Sequence, residues 1–299
     1  MPTRTRTPAA TFALEVGTTA VQTLKSCTPP ALVGEVITDR LSPSDVIGTK
    51  HIGAVDDGTA TAAFGIGMGK PMYEWIRSSF ETGSRTQSGR FVTTGLDQKV
   101  QSVLTFDDAL LTSVTVPALD AASKVAGAFT VEFDVGDTRD QKGDGSIYTL
   151  PGAGRQKSWV TSNFRVTLPG LVCTRVNLVD AFTWRASVTK EVMDGRDAPV
   201  RRVSKVTVPD LTLTISSRDY DAWHTAARSW FIDGKRGDAH EIDGSIELLS
   251  PDRRTTLATV GLKGVGFSRF ERHKFEAHAD TVAVFKVQLY VEQLTFDMP

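Results

Sequence analysis

Gly65–Lys70 is the stretch of this sequence that comes nearest to a phosphate-binding loop, because three glycines alternate with apolar residues before a lysine. A P-loop needs four residues between its outer glycines and a Ser or Thr after the lysine to bind Mg²⁺. Here only three residues separate the outer glycines, and Pro71 follows Lys70. We therefore interpret Gly65–Lys70 as a Gly-rich turn between a strand and a helix.

The residues that commonly bind metals do not show the spacing of a metal site. Asp140–Gly145 has the composition of a calcium loop, but acidic ligands at alternate positions and the distal Glu are missing. His273 and His278 are five residues apart, without a nearby cysteine or a His-Glu-x-x-His pattern. The remaining histidines are His51, His224 and His240. We predict no metal site and no cofactor.

Catalytic motifs are also missing from the sequence. There is no Gly-x-Ser-x-Gly elbow, and no Ser, His and Asp can be assigned to a triad from one sequence. Paired carboxylates could still form an acid/base site, although no pattern points to one. Arg236–Asp238 matches a short cell-adhesion tripeptide, which we interpret as the turn after a helix. We predict no catalytic residues and a protein that is not an enzyme.

Two strands with the same pattern organise the elements of this chain. Phe129–Val135 and Phe285–Val291 both place apolar residues at every second position, with mostly polar residues between them. A period of two is typical of a half-buried β-strand. A single match of this kind is common in β-rich chains, so the order of the surrounding elements has to decide whether it is meaningful.

The order of predicted elements is similar in the two halves. Each half has an opening strand, an alternating stretch, one helix with a Trp-bearing apolar stripe, a strand pair and a closing strand. The helices are predicted at about 71–80 and 219–232, and corresponding elements lie roughly 150 residues apart. The Trp-bearing stripes are expected to be core. We predict an internal duplication of one mixed domain.

The predicted fold class is mainly β (α+β), with two tandem β-sandwich or barrel domains that each carry one flanking helix. The first domain is predicted over residues 1–136 and the second over residues 161–299. Residues 137–160 between them are rich in Gly and Asp, which predicts a solvated linker. Each domain would be close to the commonest domain size.

Composition indicates a soluble globular class, with 40% hydrophobic and 23% charged residues. No apolar run approaches the roughly 18 residues that span a bilayer, and the basic N-terminus leads into no apolar segment of a signal peptide. We predict no membrane insertion, and we expect Cys27 and Cys173 to be reduced.

Charge is divided unevenly between the halves. Residues 1–150 carry 13 Lys and Arg against 17 Asp and Glu, a balance of −4, and residues 151–299 carry 21 against 18, a balance of +3. Neither half is basic enough to predict nucleic-acid binding. Opposite balances favour contacts between a first half and a second half.

The second half resembles the tail tube proteins of contractile-tailed phages and related contractile injection systems. The resemblance is in pattern and motif order rather than an invariant signature. It is carried by the opening strand Phe164–Gly170, the basic stretch Asp194–Val203, the helix Asp219–Phe231, the strand Gly244–Leu249 and the closing segment Val282–Leu294. In the first half, the equivalent of the basic stretch near Ser42–Asp57 lacks the arginines and has Asp56 and Asp57 instead.

The resemblance implies a structural protein whose strands join those of neighbours into a β-lined ring around a channel. Six domains close such a ring, so three two-domain chains would form a pseudo-sixfold trimer, and the rings would stack. It implies sheath, baseplate or terminator proteins as partners, and DNA or effector cargo that passes without specific binding. It places the chain in a virion tail or injection particle, after synthesis in the cytoplasm.

Alternatives remain at this point. The same machine could use the chain as a tube initiator, a baseplate hub or a tube-end protein. A glycan-binding module and an enzyme are the readings from other classes, but most of the Trp residues lie on helical stripes and no convergent polar set is visible.

Two groups of residues are candidates for function under this reading. Candidates for contacts between rings are three arginines of the basic stretch and two acids of the first half: Arg196, Arg201, Arg202, Asp56 and Asp57. Candidates for the channel wall lie on the polar faces of the closing strands: Thr130, Glu132, Asp134, Lys286, Gln288 and Glu292.

Overall fold

A computed structural model describes residues 11–39, 47–83, 85–149, 159–191, 200–271 and 283–299. Arg196, His273 and His278 lie outside the described residues, and so do residues 150–158 of the predicted linker.

In its described residues, the first half is built of strands and one helix, α1 (Lys70–Thr82). Its strands are β1 Thr11–Val16, β2 Thr19–Ala20, β3 Leu24–Thr28, β4 Leu32–Asp39, β5 Thr49–Asp57, β6 Thr59–Phe64, β7 Thr86–Thr94, β8 Val100–Val116, β9 Leu119–Asp120, β10 Phe129–Asp134 and β11 Asp137–Lys142.

The described part of the second half also consists of strands and one α-helix, α2 (Tyr220–Phe231), which a short 3-10 turn precedes. Its strands are β12 Phe164–Thr167, β13 Val176–Val179, β14 Phe182–Glu191, β15 Val200–Thr207, β16 Leu211–Ser216, β17 Ile242–Leu249, β18 Thr256–Glu271 and β19 Val284–Asp297. The predicted mainly β fold is confirmed.

Strand order is the same in the two large sheets. The first runs β1-β7-β8-β10-β6-β3, and the second runs β12-β17-β18-β19-β16-β13. In each sheet the helix connects the two strands that precede and follow it in the chain, β6 to β7 and β16 to β17. In each, a hairpin follows the strand at one edge, β4–β5 after β3 and β14–β15 after β13.

Register irregularities also recur at equivalent places. The shift beside Gly89 in β7–β8 corresponds to the shift beside Gly244 in β17–β18. Positive φ angles accompany both shifts, at Asp108 with φ 50° and at Gly264 with φ 60°. Similar one-residue shifts interrupt the pairs β8–β10 and β18–β19, and the pairs β3–β6 and β13–β16. Bulges of this kind re-aim strands, so both sheets bend at the same points.

Helix α1 follows the predicted Gly-rich turn. Gly69 has φ 90°, a conformation that suits glycine, and Pro71 occupies the first turn, where its missing N–H has no helical partner. The helix ends at Gly83 in the left-handed conformation. Most residues of the predicted stripes are buried, namely Met72, Trp75, Ile76 and Phe80 in α1 and Trp223, Ala227 and Trp230 in α2. Phe231, predicted on the same stripe of α2, is instead 40% exposed.

The two halves share one hydrophobic core. Phe296 of β19, in the second half, lies 5.6 Å from Phe129 of β10 and 6.4 Å from Phe80 of α1 between ring centroids. Tyr73 of α1 lies 5.6 Å from the same ring. The end of the last strand therefore packs on the helix of the first half.

The start of the predicted linker differs from the prediction. Asp137–Lys142 forms β11, which pairs with residues 102–107 of β8. Its side chains are mostly polar and exposed, so it lacks the apolar alternation by which a strand is recognised in sequence. Trp159, near the end of the predicted linker, is buried and donates to the carbonyl of Asn163.

Candidate assembly interface

Hairpin β14–β15 belongs to the second half in sequence but joins the sheet of the first half. Phe182–Arg185 of β14 pairs with Ser113–Val116 of β8, on the edge of β8 opposite to β10. The short β9 makes the reverse exchange and pairs with β13 of the second sheet. Backbone hydrogen bonds therefore cross between the halves in both directions.

The apolar face of hairpin β14–β15 is seated against α1. Trp184 is 1% exposed, and its ring lies 5.5 Å from that of Phe80. A Cβ at Gly83, just past the end of α1, would lie 3.0 Å from Cγ2 of Val206. We call this arrangement, residues 113–116 of β8 together with the C-terminal end of α1, the inner seat.

Four charged side chains form a cluster between hairpin β14–β15 and the first half, next to the inner seat. Arg201 of β15 donates from Nη2 to Asp56 at 2.9 Å and from Nη1 to the carbonyl of Gly136 at 2.8 Å. Lys190 of β14 contacts Asp56 and lies 3.3 Å from Asp134. The Arg201 side chain is only 4% exposed. Both cations come from the second half and both acids from the first, as the opposite charge balances favoured.

Asp134 is the acid of this cluster whose titration is shifted. Burial raises the pKa of Asp134, while the positive charges of Lys190 and Arg201 oppose that rise. Asp57, next to Asp56, accepts a hydrogen bond of 2.6 Å from the hydroxyl of Thr138 in β11. Both acids predicted to contact another ring thus have partners within the chain.

Of the predicted arginines, Arg202 alone is described and exposed. Arg201 differs from the prediction, since its guanidinium is occupied inside the chain rather than projecting from a loop. The reason is that Val200–Thr207 continues as strand β15, which carries Arg201 inward to Asp56 of the first half.

The polar face of the closing strand continues across the inner seat. In one row Thr130 lies opposite Thr115, and Thr115 opposite Thr183, with 2.9 Å between the last two hydroxyls. In the next row Glu132 lies opposite Ser113, which donates to it at 2.9 Å, and Arg185 follows. Asp134 differs from the prediction, since it lies under Lys190 and Arg201 rather than on this open face.

In the second half the two equivalent rows contain residues of β19 and β18 only. Lys286 lies opposite Glu271, and Gln288 opposite Arg269. Lys286 and Glu292 are exposed, and Gln288 is half-buried. Within the described residues, no strand pairs with residues 266–271 of β18 on the side away from β19. We call this the outer edge.

Hairpin β4–β5 forms a two-stranded sheet of its own within the described part of the chain. Both of its faces expose large apolar side chains. Leu32 is 76% exposed, and the others on its face are Val36, Ile52 and Val55; the opposite face carries Val33 and Ile37. Several neighbouring exposed apolar side chains of this kind mark an interaction surface.

Sequence reasoning missed Lys190 and the apolar residues of β4–β5. The signal for β4–β5 was available, since Leu32, Val33, Val36 and Ile37 are apolar on both faces of a strand flanked by Pro30 and charged residues. Lys190 had no comparable signal, because its partners are far away in sequence.

The sequence motifs that were considered for phosphate binding and cell adhesion lie in segments that connect or follow secondary-structure elements. Gly65–Gly69 links β6 to α1, and Arg236–Asp238 lies in the turn after α2. Across the described residues, no group of three or more His, Cys, Asp or Glu is arranged to hold a metal ion. No helix in the same part of the chain has the length and apolarity to cross a membrane.

Comparison with solved structures found similar chains in contractile particles. A chain in the anti-feeding prophage cap, described as the AFP tube terminating cap, is 20% identical, with a TM-score of 0.39; the match covers 48% of this chain and 95% of that one. A chain in the PVC sheath-tube complex of an extracellular contractile injection system is 19% identical, with a TM-score of 0.38, covering 47% and 94%. A chain in the PVC sheath/tube terminator is 19% identical, with a TM-score of 0.37; the match covers 44% of this chain and 92% of that one.

No family model matches this chain. No curated protein matches it either.

Proposed function

We propose that this chain is a non-enzymatic structural protein that forms rings of a hollow tail or injection tube, with three two-domain chains in each pseudo-sixfold ring. The observation that carries the proposal is the inner seat. There one half of the chain receives a hairpin from the other half, in a contact that two separate subunits could equally make.

A tandem duplication underlies this proposal. It is supported by the common strand order, by the placement of one helix in each half and by the recurrence of the same bulges. The carbonyl oxygens of Glu15 and Thr167 approach Gly89 and Gly244 so closely that a Cβ at either glycine would collide with them. Equivalent glycines at equivalent close approaches favour one ancestral domain over two unrelated sheets.

Ring closure follows from the number of hairpins and strand edges that each chain leaves exposed. Each chain fills its inner seat with its own hairpin and keeps one exposed hairpin and one outer edge. A head-to-tail contact between chains uses one of each, and it closes into a ring when the rotation per chain divides the circle. If the contact between chains repeats the rotation within a chain, and that rotation is one sixth of a turn, six domains from three chains complete the ring.

The rows of polar side chains are proposed to line the channel. Thr130, Glu132, Lys286 and Gln288 lie on the polar faces of the two closing strands, and the first row runs without interruption across the inner seat. A wall of hydroxyls with mixed charges would let DNA or effector cargo pass without strong adhesion.

Stacking of rings is proposed to use exposed charge near the tip of β14–β15. Arg202 is exposed there, and Arg196 belongs to the same basic stretch in the sequence. Sheath, baseplate or terminator proteins would then contact the outside or the ends of the tube.

A position at the tube end is the second candidate. The inner seat has a buried charge cluster, whereas the equivalents of Asp56 and Asp134 in the second half are Thr207 and Tyr290, so successive domains of the ring would differ. In such a ring the buried charge cluster would occur at three of the six contacts between domains, although the six domains have similar folds. This arrangement suits a tube initiator, a hub or a tube-end protein that joins a threefold part to a tube.

Native mass spectrometry with end-on electron microscopy tests the proposal. We expect particles of three chains with six lobes around a hollow centre at micromolar concentration. Long stacks favour a tube protein, and single rings favour an initiator or end protein. A chain that stays monomeric at all concentrations, or a ring of six chains, would overturn the proposal.

A further inference from the structure

Hairpin β4–β5 occupies the same place in the first half that β14–β15 occupies in the second. Cys27 of β3 lies opposite Ala62 of β6, and Val179 of β13 lies opposite Leu213 of β16. Leu32 and Trp184 each follow that position by five residues. Both hairpins then carry a register shift, which Val36 and Val188 each follow at once.

The apolar faces of the two hairpins correspond residue by residue. In β14–β15 this face carries Trp184, Ala186, Val188, Val203 and Val206. The equivalent positions of β4–β5 are Leu32, Gly34, Val36, Ile52 and Val55. Trp184 is buried in the inner seat, whereas Leu32 is largely exposed. This face is thus largely covered in β14–β15, where Val206 is the most exposed member at 38%, and bare in β4–β5.

The second half carries a counterpart of the inner seat that no strand of the described residues covers. Residues 113–116 of β8 correspond to a stretch that begins at Arg269 in β18, because Ser113 and Arg269 both flank the shift opposite the closing strand. In β8 this edge is filled by β14, and in β18 it is the outer edge. Gly83, which caps α1 beside Val206, corresponds to Ile232, which caps α2.

Exposed apolar side chains stand at the end of α2. Ile232 is 69% exposed, and Phe231 is also exposed. They lie where the inner seat would place the apolar face of an incoming hairpin. Burial of exposed apolar surface on both partners is the main favourable contribution to association.

From these correspondences we infer that β4 of one copy adds as a strand to the outer edge of β18 in a second copy, with the apolar face of β4–β5 covering Phe231 and Ile232. The inference rests on the proposed function and names the surfaces that join the chains. The register follows from Phe182–Arg185 on β8. Leu32 lies opposite Phe270, Val33 opposite Arg269, and Ala31 opposite Glu271.

The occupant is a second copy rather than an unrelated partner because the chain itself already contains this contact. Continuity with the inner seat fixes the direction of the strand, its register and the face that is buried. In that register Val33 and Ala31 take the places beside Arg269 and Glu271 that Arg185 and Thr183 take beside Ser113 and Thr115.

Cysteine pairs test the register. Val33→Cys with Arg269→Cys, in a Cys27→Ala, Cys173→Ala background, should form disulfides between chains on mild oxidation, giving covalent dimers and trimers on non-reducing gels. Arg185→Cys with Ser113→Cys is the equivalent pair of the inner seat, and it should form a disulfide within one chain. Val33→Cys with Lys263→Cys is the out-of-register control, because Lys263 lies on the paired part of β18.

Leu32→Asp is the second test. Because Leu32 is exposed in the single chain, the thermal unfolding of the monomer should not change, while the dissociation constant of the ring should rise about tenfold or more. Thr49→Asp, at an exposed polar position on the opposite face of the same hairpin, is the matched control and should assemble normally.

The outcomes separate this inference from the proposed function. If the wild type forms rings of three but the Val33–Arg269 pair does not link chains and Leu32→Asp assembles normally, the inference is wrong and the proposed function stands. A Val33–Arg269 disulfide within one chain would also overturn it. If the wild type is monomeric and no link forms, both are wrong.

Discussion

Arg201 and Asp56 form an ion pair of 2.9 Å although they are 145 residues apart in the sequence and belong to different halves of the chain. The Arg201 side chain is almost fully buried in this contact. Loss of one partner of a buried pair leaves the other charge without compensation.

Arg201→Glu should therefore destabilise the single chain. It places a negative charge against Asp56 and Asp134, and we expect the free energy of unfolding to fall by about 3–5 kcal/mol or more. Urea unfolding followed by tryptophan fluorescence measures this. A variant that unfolds at the same urea concentration as the wild type would show that the charge cluster does not hold the halves together.

Arg202→Glu is expected to behave differently. Arg202 neighbours Arg201 but is exposed, so its reversal should leave the unfolding of the chain within about 0.5 kcal/mol of the wild type. If Arg202 contacts the next ring, the variant should form single rings and shorter stacks in electron micrographs. Stacks of normal length would contradict the proposed stacking role.

Asp134 should give the chain a measurable pH dependence. Burial raises its pKa, so the folded chain binds the proton more tightly than the unfolded chain does. Stability contributed in this way is present at low pH and is lost as pH rises through the pKa of Asp134. Asp134→Asn should remove that fall, which begins near about pH 4, where an Asp of the unfolded chain titrates.

The slope of unfolding free energy against pH is the measurement for Asp134, because replacement of an acid beside Arg201 and Asp56 also changes stability at a single pH. Thr130→Asn, an exposed position on the same strand, is the control and should keep the slope of the wild type. Equal slopes in Asp134→Asn and the wild type would contradict the prediction.

Gly89 and Gly244 should both be intolerant of a side chain. A Cβ at Gly89 would collide with the carbonyl oxygen of Glu15, and one at Gly244 would lie 2.7 Å from that of Thr167. We expect Gly89→Ala and Gly244→Ala each to cost about 1–3 kcal/mol, because the paired strand would have to move. Ser88→Ala, next to Gly89 and exposed, should be nearly neutral in thermal unfolding.

Channel-lining positions can be tested by labelling. Glu132→Cys and Gln288→Cys in assembled stacks should react with a small maleimide and resist one coupled to a bulky polymer. Burial raises the pKa of Cys27 to about 11, so that thiol should react slowly at neutral pH and give little background. Equal labelling of stacks and dissociated chains by the bulky reagent would place these residues outside a channel.

Local patterns in the sequence predicted the elements that bury a regular apolar face. The alternation of Phe129–Val135 and Phe285–Val291 identified β10 and β19, and the Trp-bearing stripes identified α1 and α2. The reason is that burial on one face leaves a period that can be counted in a single sequence.

Contacts set by tertiary structure could not be predicted in this way. Asp137–Lys142 is a polar strand that depends on the edge of β8, and its residues alone favour a linker. The pairing of β14 with β8 rather than with its own sheet leaves no trace in the alternation of Phe182–Glu191. The direction of Arg201 was likewise decided by where Asp56 lies, not by the basic stretch around it.

The inner seat has a consequence for how the chain is made. On the ribosome, β8 is synthesised well before β14, so residues 113–116 emerge with a bare strand edge and wait for the hairpin that covers them. An unpaired edge is a template for any other strand nearby, including β14 of another nascent chain on the same message. Dilute or slow synthesis should therefore favour the soluble product, and crowded overexpression should favour chains joined through exchanged hairpins.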